Sequence, residues 1–140
     1  MNETTPTPVL ITLGDPPSRQ AVSRADATRI VNDFLQRRLY HAAVSVATQF
    51  ASQATDDAAA QGLAAAALYE IGELTPARGY TERSLALGNG DPEAFHLSSR
   101  ICMELGDKDA ALRAIETVLQ RQPHSSRFHC IYGQQLLKAG

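Results

Sequence analysis

The stretch Cys102-Met103-Glu104-Leu105-Gly106-Asp107-Lys108-Asp109-Ala110-Ala111 decides the fold. It reads as the end of one helix, a tight turn and the start of a second helix. Gly106 can take the left-handed conformation that closes a helix, and Asp107 or Asp109 can cap the next one. Upstream, Asp91-Pro92-Glu93 supplies a cap, a proline in the first turn and an acid at the positive helix end. Downstream, Ala111, Leu112, Ile115, Val118 and Leu119 form one apolar face. Gln122-Pro123 stops that helix, because the residue before proline is pushed out of helical geometry.

The same punctuation recurs outward from this stretch. Ala43, Ala77 and Ala111 are each 34 residues apart, and so are Gly72, Gly106 and Gly140. Phe34, Leu68, Cys102 and Leu136 form a third column in the same register. A fixed period of this length marks a repeat architecture. The blocks are 24–57, 58–91 and 92–125, with a half block at 126–140, each full block holding two amphipathic helices. In the second block Gly72 makes the turn, Thr75-Pro76 are read as cap and first helical residue, and Gly88-Asn89-Gly90 closes the block. Gln61 stands there where a large apolar residue is expected. The first block is the most degenerate, with Val31 at the small crossing site and Arg38 at the turn-glycine position. Alanine recurs because only a small side chain lets two helices approach closely where they cross.

Composition agrees with this reading and removes several functions. Thirteen Lys and Arg face fifteen Asp and Glu, so the formal charge is −2, with both signs scattered. No basic stripe exists to follow a phosphate backbone, and no nucleic-acid partner is expected. Two cysteines, Cys102 and Cys130, are too few for a disulfide framework and read as free thiols. The histidines His41, His96, His124 and His129 lack the spacing of a metal or catalytic site. No catalytic residues, cofactor or metal are therefore expected. The absence of a signal-like start and of a long apolar stretch leads us to expect a cytoplasmic protein with no membrane insertion.

The expected fold is all-α, a right-handed superhelical solenoid of antiparallel helix hairpins with about seven helices. Residues 1–23 are rich in Thr and Pro and are expected to form a flexible N-terminal leader, with 24–140 as the helical domain. Within the leader, the apolar run Val9-Leu10-Ile11-Thr12-Leu13 calls for burial. It should cover an edge of the first hairpin or lie in the groove.

Period, helix-turn-helix pattern and columns together resemble the tetratricopeptide repeat family. The third block carries the resemblance best, with Phe95, Ser99, Gly106-Asp107, Ala111 and Pro123 at the family's positions. The resemblance implies a concave face lined by the first helix of every hairpin. On this chain those positions include Ala59 and, as candidate peptide-binding residues, Asn32, Gly62, Ala66, Tyr69, His96, Arg100, Met103, Arg127 and Gln134. The small residues Ala59, Gly62 and Ala66 either leave a pocket between Tyr69 and Met103 or permit tight helix packing. Arg100 and Arg127 are placed to orient an acidic group. The carboxylate clamp of one subclass is missing: Asn32 matches, but Thr28, Leu63, Ala59, Glu93 and Leu97 fill the other sites.

The function implied is a protein–protein interaction module, a scaffold or adaptor holding a partner protein or peptide in the groove. One alternative is a chaperone, similar to the small bacterial secretion chaperones of this fold, that sequesters an export substrate. Another is the N-terminal recruiting domain of a longer enzyme truncated after Gly140. A homo-oligomer is a further expectation, with a second copy as the partner. In the last helix Gln134, Gln135 and Lys138 are expected on a polar face, while Phe128, Ile131, Tyr132 and Leu136 cover the third hairpin.

Overall fold

The computed structural model describes residues 7–14 and 18–140. Two short strands, β1 (Val9–Leu13) and β2 (Ser18–Val22), precede seven helices among the described residues. These are α1 (Arg24–Gln36), α2 (Tyr40–Gln53), α3 (Ala58–Glu70), α4 (Leu74–Ala86), α5 (Pro92–Glu104), α6 (Lys108–Arg121) and α7 (Ser126–Ala139). First helices start at 24, 58, 92 and 126 and second helices at 40, 74 and 108, so the 34-residue period is kept at every helix start.

Each element follows from local chemistry. Ser23, Asp57, Asp91, Asp107 and Ser125 cap their helices, each side chain accepting a backbone N–H from the first turn. The turns between paired helices share one hydrogen bond. The N–H of Leu39, Glu73 and Asp107 donates to the carbonyl of Phe34, Leu68 and Cys102 at 2.9, 3.0 and 2.8 Å. This is the Schellman closure, and it requires a left-handed residue just before the donor. Gly72 and Gly106 supply it with φ of 81° and 86°. Arg38 fills the same position with φ 61°, the only non-glycine with positive φ among the described residues. Helix α4 starts two residues earlier than the sequence suggests. Glu73 is its N-cap without a side-chain bond, and Thr75 and Pro76 lie inside the first turn, where a missing N–H costs little.

Packing is sequential, each helix touching the next. First helices also touch one another, α1 with α3, α3 with α5 and α5 with α7. The alanine column is fully buried at Ala43, Ala77 and Ala111. Gln61, in a large apolar position, has a separate reason to be there. Its buried amide donates to the carbonyls of Ala51 and Ala54 at 3.0 and 3.2 Å, closing the end of α2.

The expectation of a flexible leader over residues 1–23 is corrected at Val9–Leu13 and Ser18–Val22, which form strands. β1 and β2 pair antiparallel, Val9 opposite Val22 and Leu13 opposite Ser18. Val9 and Ile11 are 1% and 0% exposed and join the core of the first repeat with Val31, Val46 and Phe50. The apolar run therefore packs on α2 of the first hairpin. Its outer edge is closed by glutamine side chains. Leu10 N–H donates to Gln53 Oε1 at 2.8 Å, and Gln53 Nε2 donates back to the Leu10 carbonyl at 2.7 Å. Gln49 does the same for Thr12, at 2.7 and 3.3 Å. Residues 1–6 of the expected leader and 15–17 lie outside the described residues.

Candidate peptide-binding groove

The first helices touch one another in turn, and α1, α3, α5 and α7 form the inner layer. Two cavities lie along it. The larger, about 500 Å³, is bounded by Thr28 of α1, by Ala59, Gly62 and Ala66 of α3, and by Ala94 and Leu97 of α5. Its volume falls in the range of about 300–1,000 Å³ that holds small ligands or buried partner side chains. The walls are apolar, with Ser84, Asn89, Asp91 and Glu93 as polar residues toward one end.

The small residues both allow helices to approach and leave space. A Cβ at Gly62 would stand 3.4 Å from Ser84 Oγ and 3.6 Å from the Asn89 amide. That brings α3 close to α4, and Gly62, Ser84 and Asn89 together form part of the cavity wall. Ser84 Oγ donates to the Ala58 carbonyl at 2.7 Å and accepts from Asn89 Nδ2 at 2.8 Å, which fixes the wall.

The smaller cavity, about 290 Å³, lies between α3, α5 and α7. Tyr69, Arg100, Met103, Glu104, Gln135 and Lys138 line it. Arg100 stacks on Tyr69, its guanidinium carbon 4.6 Å from the ring centroid. Burial pushes the Tyr69 phenol above its usual range, and a hydrogen bond with Glu104 adds to this. Tyr69 and Met103 thus flank a second cavity rather than the one at Ala59, Gly62 and Ala66.

Arg127 is paired with an acid of its own chain. It forms a two-pronged ion pair with Glu93, which holds that carboxyl below the usual range. His96 sits half-buried beside this pair, its ring 6.3 Å from Phe128 in an edge-to-face contact. Burial lowers its pKa, reinforced by Arg100 and opposed by Glu93. Asn32 and Gln134 are exposed and line neither cavity.

The last helix corrects one expectation of polarity. Gln135, placed by sequence on a polar outer face, is 5% exposed and lines the smaller cavity, whereas Leu136 is 45% exposed. A signal for Gln135 was present. Its repeat column holds the buried residues Ala67 and Ile101, so a polar residue there enters a core position. Glu104 and Lys138 had no comparable mark.

Among the described residues no group of three or more His, Cys, Asp and Glu is placed to hold a metal. Cys102 is a buried free thiol whose pKa burial raises, and Cys130 is an exposed one. Among the described residues no helix is long and apolar enough to cross a membrane.

No family profile matches the chain, and no curated protein matches it. Solved structures do. The first TPR domain of Spaghetti (RPAP3), bound to an HSP90 peptide, is similar at TM-score 0.74 and 14% identity, over 81% of this chain and 90% of that one. MamA is similar at 0.74 and 19%, over 82% of this chain and 63% of its own. The type III secretion translocator chaperone SycD of Yersinia enterocolitica is similar at 0.68 and 11%, over 83% and 88%.

Proposed function

From its tetratricopeptide-repeat fold, we propose that the chain is a protein-interaction module that holds an extended segment of a partner along α1, α3, α5 and α7. The observation that carries this reading is the open apolar cavity of about 500 Å³ on the inner layer, floored by Ala59, Gly62 and Ala66. Its size and lining suit one or two aliphatic or aromatic partner side chains. The neighbour Spaghetti (RPAP3), solved with an HSP90 peptide, supports peptide binding as a use of this fold.

Selection of a random peptide display library on the immobilised chain tests the proposal. Enriched peptides should share an apolar anchor, and Ala66→Phe, which projects into the cavity, should abolish their binding without lowering Tm. Peptides that bind equally well to Ala66→Phe, or no enrichment at all, would refute the groove.

Sequestration of an export substrate is a narrower form of the same activity, supported by the fold likeness to SycD. A sequestering chaperone would keep an aggregation-prone client soluble at one-to-one stoichiometry, whereas a scaffold would leave client solubility unchanged.

A further inference from the structure

We propose that the smaller cavity is a subsite for an aspartate or glutamate side chain of the bound segment, about three residues from its apolar anchor. This rests on the groove reading above and names the partner's chemistry.

Three observations meet in that cavity. First, the positive groups of the inner layer are unevenly committed. Arg24 pairs with Asp57 and Arg127 with Glu93. Arg100 and Lys138 both line the cavity, and neither forms an ion pair among the described residues. Second, Gln135 presents an amide oxygen that is buried, without a hydrogen-bond partner, in a residue only 5% exposed. Buried polar atoms are nearly always paired, so this one stands out on a residue that lines the cavity. Third, the cavity holds one acid, Glu104, against two cations.

The charge balance selects the ligand. One acid and two bases leave a single positive charge, which a carboxylate matches. A phosphate monoester, carrying close to two negative charges, would leave one uncompensated. Arg100 is held in place by its stacking on Tyr69, so its fork is pre-organised for a planar carboxylate. The spacing comes from the helix that joins the cavities. Gly62 and Tyr69 are seven residues apart on α3, about 10 Å along its axis at 1.5 Å per residue. An extended segment covers that distance in about three residues.

The test uses the full chain and synthetic arrays of octapeptides, N-acetylated and C-amidated to remove terminal charges. Each carries a fixed leucine or phenylalanine and, two to five residues away, Asp, Glu, Asn, Gln or phosphoserine. Expected is a preference for Asp and Glu over Asn and Gln at one spacing, of about tenfold in Kd for one charge-assisted contact. In the double variant Arg100→Gln with Lys138→Gln, whose side chains lie at the surface, that preference should vanish while the apolar preference stays. Glu104→Gln should instead strengthen acidic peptides. Binding of apolar-anchored peptides with no acid preference overturns this inference and leaves the groove intact. So does a preference that survives the double variant, or one for phosphoserine over glutamate. Failure to bind any peptide overturns the groove itself.

Discussion

Replacing Ile11 by alanine tests whether the N-terminal strands belong to the folded domain. Ile11 is fully buried in the core of the first repeat, although it lies in a segment whose composition suggests a mobile leader. The substitution removes three carbons. At about 0.8 kcal/mol per buried CH₂ the transfer loss is about 2.4 kcal/mol, and an incompletely collapsed cavity raises it to about 3. An unfolding entropy of about 2 cal/mol/K per residue over 140 residues gives about 0.3 kcal/mol per degree. Tm should therefore fall by about 10 °C, measured by far-UV circular dichroism or calorimetry. Leu10→Ala, one residue away but 39% exposed, is the control and should cost less than about 1 kcal/mol. If the two variants melt together, β1 is not part of the cooperative unit and the reasoning fails. A small loss shared by Ile11→Ala and deletion of residues 1–20 would show a hairpin that detaches before the helices melt.

Arg38→Gly should stabilise the protein. Removing a left-handed side chain gains about 1–2 kcal/mol, the added freedom of the unfolded chain takes back about 0.5–1, and Tm should rise by about 2–3 °C. Ala111→Leu should cost about 1–3 kcal/mol by overpacking the α5–α6 crossing, while Ala86→Leu on the exposed end of α4 should change denaturant midpoints little. His96 titrates below the usual histidine value because burial disfavours its charged form. The unfolded chain thus takes up a proton first, so stability is complete above about pH 6.5 and is lost as pH falls toward the lower folded pKa. His96→Gln should flatten that slope in urea titrations at a series of pH values, and an unchanged slope would assign it to another group.

Helix starts were legible because each repeat restates them. A cap, a turn glycine and an alanine column occur at one spacing, and the Schellman bonds fall on the column of Phe34, Leu68 and Cys102. The hairpin was not legible, because β2 reads Ser-Arg-Gln-Ala-Val and carries no strand pattern of its own. Its state is set by β1, and β1 is held by residues of α2 some forty positions away. In the groove, the small floor at Ala59, Gly62 and Ala66 could be read, but the division into two cavities could not. The engagement of Arg127 was within reach of the repeat. Glu93 and Arg127 are 34 residues apart, hence occupy one column on adjacent first helices and are bound to meet. Pairs such as Arg78 with Asp107 cross columns and need coordinates.

The two glutamines of α2 also leave the first strand a single setting. Gln49 and Gln53 are four residues apart on a helix, a rise of about 6 Å, close to the span of two strand residues. A slip of β1 by one residue would turn Val9 and Ile11 out to water. A slip by two in one direction would set Pro8 opposite Gln53, and proline has no N–H to give the waiting oxygen. The opposite slip would set Gly14, at the strand's end with φ 89°, opposite Gln49. Helix α2 therefore works as a gauge that accepts one alignment of the chain, and the proline ahead of the strand is its stop.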